Sequence, residues 1–417
     1  MLVVGAGPGG LAAAATAARH GARVCVVDMQ PRAGGQVWRH DVSHAPSRNA
    51  RRALTEVSSR IVHHFGSQVI EARADALLVE HAQGALEARF DKLVLATGAR
   101  ELLLPFPGWT LPGVAGAGGL QALAKQGTPM VGRRVALAGS GPLLLAAAAT
   151  LVRHGAQVIG LFEQAPADRV MAFARGLWRW PARALQALQL RRQLIGVPFH
   201  YGHVVTAAEG TQRLQSIETH DANGVSHRVA CDAVGVGYGL VPNTELAARL
   251  GCVLDAYGAH TRVRVDALQR TNHAHIFAVG ETCGIGGLSA ARLEGAIAAH
   301  VALGHDREAT RLWAARDRAR AFAKQLADTF ALDPRVLRLA TPETLICRCE
   351  DVPLSAITPF NDSRDARLVT RCGMGACQGR ICGTALAELG LFGRPDPRPP
   401  LFPARLATLA TADTSFS

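Results

Sequence analysis

The chain has 417 residues, 48 % of them hydrophobic, enough at roughly 150 residues per domain for two or three domains with sizeable cores. Its 45 Lys and Arg against 33 Asp and Glu give a net charge of +12. The arginines are spread along the whole chain, and no helix-turn-helix, RNA-recognition or zinc-finger pattern accompanies them, so no nucleic-acid partner is expected. No apolar run reaches about 18 residues without a charge or a turn signal, and no basic segment precedes an apolar one at the N-terminus. The expectation is a cytoplasmic protein without an integral membrane segment, for which peripheral membrane association stays open.

The chain opens "MLVVGAGPGGLAAAATAARHGARVCVVD": a short apolar strand, Gly5-x-Gly7-x-x-Gly10, an Ala-rich helix, and a second strand ending in Asp28. That order is the βαβ dinucleotide fingerprint, with its acid about 20 residues on. Gly5 suits the tight turn, Gly7 lets backbone approach a pyrophosphate, and Gly10 lets helix and strand pack closely. The helix N-terminus faces the phosphates, and Asp28 is placed to accept from ribose hydroxyls. The chain begins almost directly on this first strand.

A second copy follows. "VALAGSGPLLLAAAATLVRHGAQVIGLFE" places Gly139, Gly141 and Pro142 134 positions after Gly5, Gly7 and Pro8, and "RHGA" at 153–156 repeats 19–22. A repeat this close predicts two doubly wound domains. The copy is eroded where chemistry would sit: Leu144 replaces Gly10, Phe162 replaces Asp28, and Glu163 comes one place late. Leu144 is expected to obstruct both the close packing and the phosphate, so ordinary NAD(P) binding is not expected there.

Two further segments complete the first domain. "DKLVLATGAR" at 91–100 is a buried strand ending in a turn at Thr97-Gly98, and "HIFAVGETCGIGGLSAARLEGAIAAH" at 275–300 is a strand, a glycine turn and a helix. Residues 311–330 carry Leu312, Ala315, Ala319, Phe322, Leu326 and Phe330 at helical spacing, predicting a linker helix with a solvated Arg face. The Pro-rich tail is expected to drape over a surface and to end loosely.

Five of the nine cysteines, Cys347, Cys349, Cys372, Cys377 and Cys382, fall within 36 residues. In a reducing compartment such clustering means metal or redox chemistry. Cys347 and Cys349, two apart, point the same way in extended backbone. Four thiolates suit zinc or an iron–sulfur cluster; the CxC and Cx₄C pairs suit a [2Fe–2S] cluster, with zinc as the alternative. Gly373, Gly375, Gly379 and Gly383 would let backbone N–H groups reach the sulfurs, with Arg371 and Arg380 adding positive charge. Cys25, Cys231 and Cys252 read as buried free thiols, and Cys283 lacks the partner for a flavin-coupled disulfide.

"CRCED…TRCGMGACQGRIC" resembles the [2Fe–2S] domain named after bacterioferritin-associated ferredoxin. "PRAGGQVWR" at 31–39, "PGWTLPGV" at 107–114, "LAGSGPLLL" at 137–145 and "VGETCGIGG" at 279–287 extend a resemblance to the FAD-binding α subunits of heteromeric hydroxyproline dehydrogenase, opine oxidase and hydrogen cyanide synthase. The resemblance implies an α/β chain with two dinucleotide-binding domains of the disulfide-reductase flavoprotein type and a small C-terminal iron–sulfur domain. Its segments are 1–115 and 246–310 for FAD, 116–245 for the inserted domain, 311–340 for the linker, 341–392 for the cluster and 393–417 for the tail.

It also implies FAD contacts at Gly5, Gly7, Pro8, Gly9, Gly10, Asp28, Met29, Gly35, Gln36, Thr97, Gly98, Gly280, Glu281 and Gly287, with Glu281 standing where an Asp is more usual. The implied cluster ligands are Cys347, Cys349, Cys377 and Cys382, leaving Cys372 an adventitious neighbour. Implied partners are a β subunit resembling D-amino-acid oxidase and a small third subunit, with an FMN near the subunit boundary. No His/Asp or Ser/His pair suggests acid–base work, so no catalytic residue is assigned; His63, His64 and the other histidines read as surface or satisfied side chains. Two other readings remain: a self-sufficient NAD(P)H reductase, and an iron-handling or redox-sensing protein.

Overall fold

The structure is a computed structural model that describes residues 1–55, 60–73, 75–393 and 397–414; residues 394–396 and 415–417 of the tail lie outside the described residues. The chain forms two units. The first combines Met1–Arg100 with Val241–Lys324 and the described tail, and the second combines Glu101–Leu240 with Gln325–Gly393. The division falls at 100 rather than 115. The thiol-bearing segment groups with the inserted domain, and the linker helix is shared between the units.

In the first unit a five-stranded parallel sheet runs in the order Ile276–Ala278, Leu93–Leu95, Leu2–Val4, Val24–Asp28, Ile61–Phe65. Its central strands are almost wholly Val and Leu because helices cover one face and an antiparallel sheet the other. Helices Pro8–Arg19 and Gly287–Ala302 pack together at Gly9 and Gly295, where small residues let backbones approach. They bury Val3, Val26, Val94 and Phe277. On the other face Leu2, Leu93 and Ile276 meet Leu77 and Val79 of the sheet Gln68–Ala72, Ala76–His81, Gly84–Arg89.

The second unit repeats the plan, with parallel order Phe199–Tyr201, Gln157–Glu163, Arg134–Gly139, Ala233–Gly237, Val114–Gly116. Helices Ala117–Lys125 and Pro142–Arg153 cover it, and Val204–Glu209, Ser216–His220 and Ser226–Ala230 form a three-stranded antiparallel sheet. The thiol-bearing segment has a small core of its own: Ile346, Val352, Ile357, Ala366 and Leu386.

Three expectations are corrected. The linker helix forms at Trp313–Thr329, but its Arg face is not simply solvated. Arg316 is buried and donates to Ala267 O at 2.6 Å, and Arg320 donates to Glu294 of helix Gly287–Ala302 at 2.8 Å, because a loop carbonyl and a buried carboxylate face that side of the helix. The tail is docked further along than expected: Leu401 N donates to Ile70 O at 2.7 Å, Arg405 and Thr408 bind Glu80, and Leu406–Thr414 is helical, while its expected loose end at 415–417 lies outside the described residues. His63 stacks on Phe65 at 5.0 Å with both ring nitrogens buried and unpartnered, so it is not a satisfied surface histidine. Phe277 is the largest side chain buried in the first sheet's helix-covered core; Phe277→Ala is expected to destabilise that unit by about 3–5 kcal/mol, read as a shift in its urea midpoint.

Candidate flavin and thiol sites

The turn between Leu2–Val4 and Pro8–Arg19 is held by Gly5 N donating to Val27 O at 2.8 Å. Pro8 opens the helix, whose N-terminus has no side-chain cap and no acid in its first turn, leaving N–H groups to face an anion. A side chain at Gly10 would run into Gly5 O. Opposite, Gly34 N donates to Ala6 O at 2.8 Å, and Gly35, at φ +56°, lies so near that a Cβ there would stand 2.8 Å from the Gly7 Cα. Gly7 and Gly35 thus form one bare backbone cradle, with Met29 and Gln36 exposed at its edge and Arg39 donating to Gln36 at 2.5 Å.

Asp28 is placed more tightly than expected. Its two oxygens accept from Ala6 N at 2.5 Å and Gln30 N at 2.7 Å, and burial raises its pKa against those bonds. Each oxygen keeps a second lone pair, so the carboxylate fixes the turn and can still accept from a ribose hydroxyl.

Thr97 and Gly98 are joined to the Glu281 loop through Asn243, a residue that the sequence pattern did not single out. Thr97 and Thr282 hydroxyls both donate to Asn243 O at 2.8 Å, and Asn243 Nδ2 returns a bond to Thr97 O at 2.9 Å. Gly280 N donates to buried Glu294, which is itself held by Arg320. Glu281 accepts from Gly287 N through Oε1 at 2.9 Å, while its Oε2 is buried without a partner. Burial first, then the neighbouring Glu294 charge, push its carboxyl up to about 7. An orphan acceptor beside an uncapped helix and a bare glycine cradle fit FAD: the cradle would hold the pyrophosphate, and Glu281 would accept from a sugar-like hydroxyl.

The second glycine turn differs. Leu144 does not obstruct the phosphate path; it points into the sheet core against Gly237, which leaves room for it. The obstruction is Glu163. Its Oε2 accepts from Gly141 N at 2.7 Å, and its Oε1 from Ala165 N and the Ser140 hydroxyl at 2.9 Å each. Phe330 then lies 3.4 Å from where a Gly141 side chain would begin. Gln164 donates to Ala331 O at 3.3 Å and accepts from Asp333 N at 3.1 Å. Residues 330–333 therefore cover the turn, and nothing in the repeat pattern signalled a residue so distant.

The tightest sulfur group contains two of the four expected ligands, Cys347 and Cys382, together with Cys372, which was expected to stand aside. Strand Leu345–Cys347 and the loop before helix Cys382–Glu388 bring the sulfurs of Cys347, Cys372 and Cys382 within 4.8 Å of one another. Cys377 contacts Cys382 and Cys349, so Cys372 joins the predicted four rather than standing aside. Thiol hydrogen bonds from Cys372 and Cys382 hold Cys347 well below the ordinary thiol range, and Cys382 leads the effects that lower Cys377 to about 5. Backbone N–H groups of Gly373 and Gly379 reach the Cys347 and Cys377 sulfurs. Within the same set the neighbouring Cys347 pushes Cys372 up to about 12, and Cys349 and Cys382 are raised as well. The five sulfurs therefore hold their protons unequally, and it is the convergence of sulfur donors that fits a metal or iron–sulfur centre. Arg371, expected to add positive charge, is paired with Glu350 at 2.8 Å.

Trp109 was read only as part of a motif. Its indole N–H donates to Leu345 O at 2.6 Å, and Arg348, between the CxC cysteines, stands over its ring at 5.1 Å. An aromatic in a Pro-Gly loop far from the cysteines gave no sign of that role.

Two glycine-turn domains with this cradle define a flavoprotein reductase-like class, and residues 1–302 match the family model described as pyridine nucleotide-disulphide oxidoreductase. The chain belongs to that family and is a flavin-dependent oxidoreductase, in the branch that includes the A subunit of opine oxidase. It is 32 % identical over 456 aligned positions to the opine oxidase A subunit of Rhizobium meliloti (strain 1021), covering 98 % of each chain. It is 32 % identical to hydrogen cyanide synthase subunit HcnB of Pseudomonas aeruginosa, covering 91 % of this chain and 90 % of that one. L-proline dehydrogenase from P. horikoshii shares the fold, with a TM-score of 0.67 at 19 % identity over 98 % of this chain and 78 % of that one.

Two outcomes follow. Gly10→Ala is expected to abolish flavin retention, read as loss of the yellow absorbance in folded protein. Glu281 has a folded pKa of about 7 against an ordinary 4.5, so its contribution is fully present below pH 4.5 and is lost as pH rises through 7. The flavin-free chain should lose about 3 kcal/mol more stability over that window than its Glu281→Gln variant, measured by urea unfolding.

Proposed function

We propose that this chain is the electron-transferring α subunit of a heteromeric dehydrogenase. It holds FAD in the first unit and a [2Fe–2S] cluster on Cys347, Cys349, Cys377 and Cys382, and its substrate is an amino acid, imino acid or opine oxidised in a partner β subunit resembling D-amino-acid oxidase. The observation that carries the reading is the pairing of a fitted flavin cradle with a thiol cluster, while the second glycine turn is filled by Glu163 and covered by Phe330. A reductase fed by NAD(P)H would need that second turn open. The names of the relatives support the heteromeric reading, since each is a lettered subunit of a named enzyme.

When bound, a flavin exchanges electrons in pairs or singly, and a cluster exchanges them singly. This chain's residues supply the surroundings. Asp28 locks the glycine turn, Glu281 offers its unpaired oxygen, and the Asn243 bonds hold the Thr97 turn to the Glu281 loop. Trp109 and the N–H groups of Gly373 and Gly379 steady the thiols.

Mixed anaerobically with NADH or NADPH, the purified chain should keep its flavin absorbance, although dithionite bleaches it. Rapid bleaching followed by a reduced-cluster EPR signal would overturn the reading in favour of a self-sufficient reductase. Cys377→Ser should remove the cluster absorbance and leave FAD bound, since the thiols and the flavin cradle belong to different units. Loss of both chromophores would count against two independent sites.

A further inference from the structure

The first unit carries a group of histidines that the flavin site does not use. His20, near the start of the chain, meets His300 and His305 of the last flavin segment. Ring centres are 5.0 Å apart for His20 and His300, 4.5 Å for His20 and His305, and 6.5 Å for His300 and His305.

The fold explains the meeting. Strands Leu2–Val4 and Ile276–Ala278 run parallel in one sheet, so the helices that follow them, Pro8–Arg19 and Gly287–Ala302, end on the same side. Their N-termini open at the flavin cradle and the Glu281 loop, and the C-terminus of the shorter helix lies roughly 18 Å further on. His20 caps that helix, and His300 stands in the last turn of the other. His305 N donates to His300 O at 2.8 Å, which folds the turn at Gly304 back over the helix end. A helix C-terminus carries partial negative charge, and two of them end here together.

The nitrogens are available. His300 Nδ1 is buried and has no partner, and a buried ring nitrogen in that state needs a reason, of which a bound cation is one. His20 is exposed and His305 half-buried, so an ion has a way in. Two imidazoles held through nitrogen at about 2.0–2.1 Å from one tetrahedral ion have ring centres about 5 Å apart. Two of the three pairs already meet that spacing. The third closes by a change of rotamer at His305, which follows Gly304 on a turn at φ +79°. Besides the histidines themselves, Glu308 favours positive charge at His300 and Arg19 opposes it; Arg19 is turned back to the Thr16 hydroxyl at 3.0 Å.

We propose that His20, His300 and His305 bind a divalent transition cation of the Zn²⁺ class, which ties together the far ends of the two helices that begin at the flavin site. Three imidazoles with no thiolate among them suit zinc, copper or nickel and do not suit magnesium or calcium. The cysteine cluster belongs to the other unit, so the ion stands apart from it and takes no part in moving electrons. This inference does not depend on the electron-transfer reading.

The test is equilibrium dialysis of the flavin-loaded full-length protein against Zn²⁺, with metal counted per flavin. Zinc taken by the cysteines is common to every variant and cancels in the difference. Wild type is expected to hold one more Zn²⁺ per chain than His20→Ala or His300→Ala at the same free metal. His305→Ala is expected to weaken the site at least about tenfold, the loss that follows from removing even an outer partner of a metal site. With Co²⁺ in place of Zn²⁺, the difference spectrum between wild type and His20→Ala should show the weak absorption of nitrogen and oxygen ligation without an intense thiolate band. His20 is exposed, so its replacement leaves the core untouched, and retained flavin absorbance shows that each variant is folded. The proposal fails if wild type and His20→Ala take up equal zinc, or if His305→Ala binds as wild type does. It also fails if the cobalt difference carries a thiolate band, which would assign the metal to the cysteines.

Discussion

Both halves of this protein meet the same electrostatic demand, and they differ in what answers it. A strand that turns through glycines into a helix leaves backbone N–H groups pointing outward with no acceptor of their own. In the first unit Asp28 takes the Ala6 N–H, one residue before Gly7, and the bare surface of Gly7 and Gly35 remains for a pyrophosphate. In the second unit the acid is one methylene longer and one position later, and it takes the Gly141 N–H, the position equivalent to Gly7. A single carboxylate, moved by one residue, thus separates a ligand cradle from a structural joint.

The thiol site is built on a related economy. Sulfurs crowded within 4.8 Å repel one another when several are thiolates, although a neighbour that keeps its proton can donate it, as Cys372 and Cys382 do to Cys347, so the loop must hold the set together. The small core around Ile346, Ile357 and Leu386 does part of this, and the Trp109 bond to Leu345 O braces the strand that delivers Cys347. Gly375 shows how tight the packing is, because a side chain there would collide with Cys349. Cys372 adds a further sulfur beside Cys347 and Cys382, so the crowding is shared by the whole loop rather than by any one residue.

Local pattern carried most of the architecture. The two fingerprints and the strands Leu93–Leu95 and Ile276–Ala278 rest on short-range spacing, and the structure holds them where that spacing implied, whereas the close approach of Cys372 to Cys347 and Cys382 did not show in it. What escaped was set by partners far away in sequence. Leu144 looked obstructive because the Gly237 that accommodates it is 93 residues on, and Phe330 looked like a linker residue because its place over Gly141 is a tertiary fact. Arg316 was read as solvated because helical periodicity does not reveal a waiting carbonyl such as Ala267 O. Glu163 was seen as a misplaced acid, but its reach to the turn is a matter of side-chain length and direction that spacing does not convey.

The tail has a consequence for how the molecule comes into being. Leu401 is buried in the same core as Leu2, Leu93 and Ile276, so the flavin-binding unit draws on residues from both ends of the chain. The strand Leu2–Val4 is made about 400 residues before Leu401, which closes the core they share. At roughly 5–20 residues per second that is a wait of about 20–80 s. The inserted unit's sheet, encoded between 101 and 240, has all its strands well before then. The nascent chain therefore carries a finished second sheet while the first is still open, and the arrival of Leu401 decides when the older half becomes a folded body.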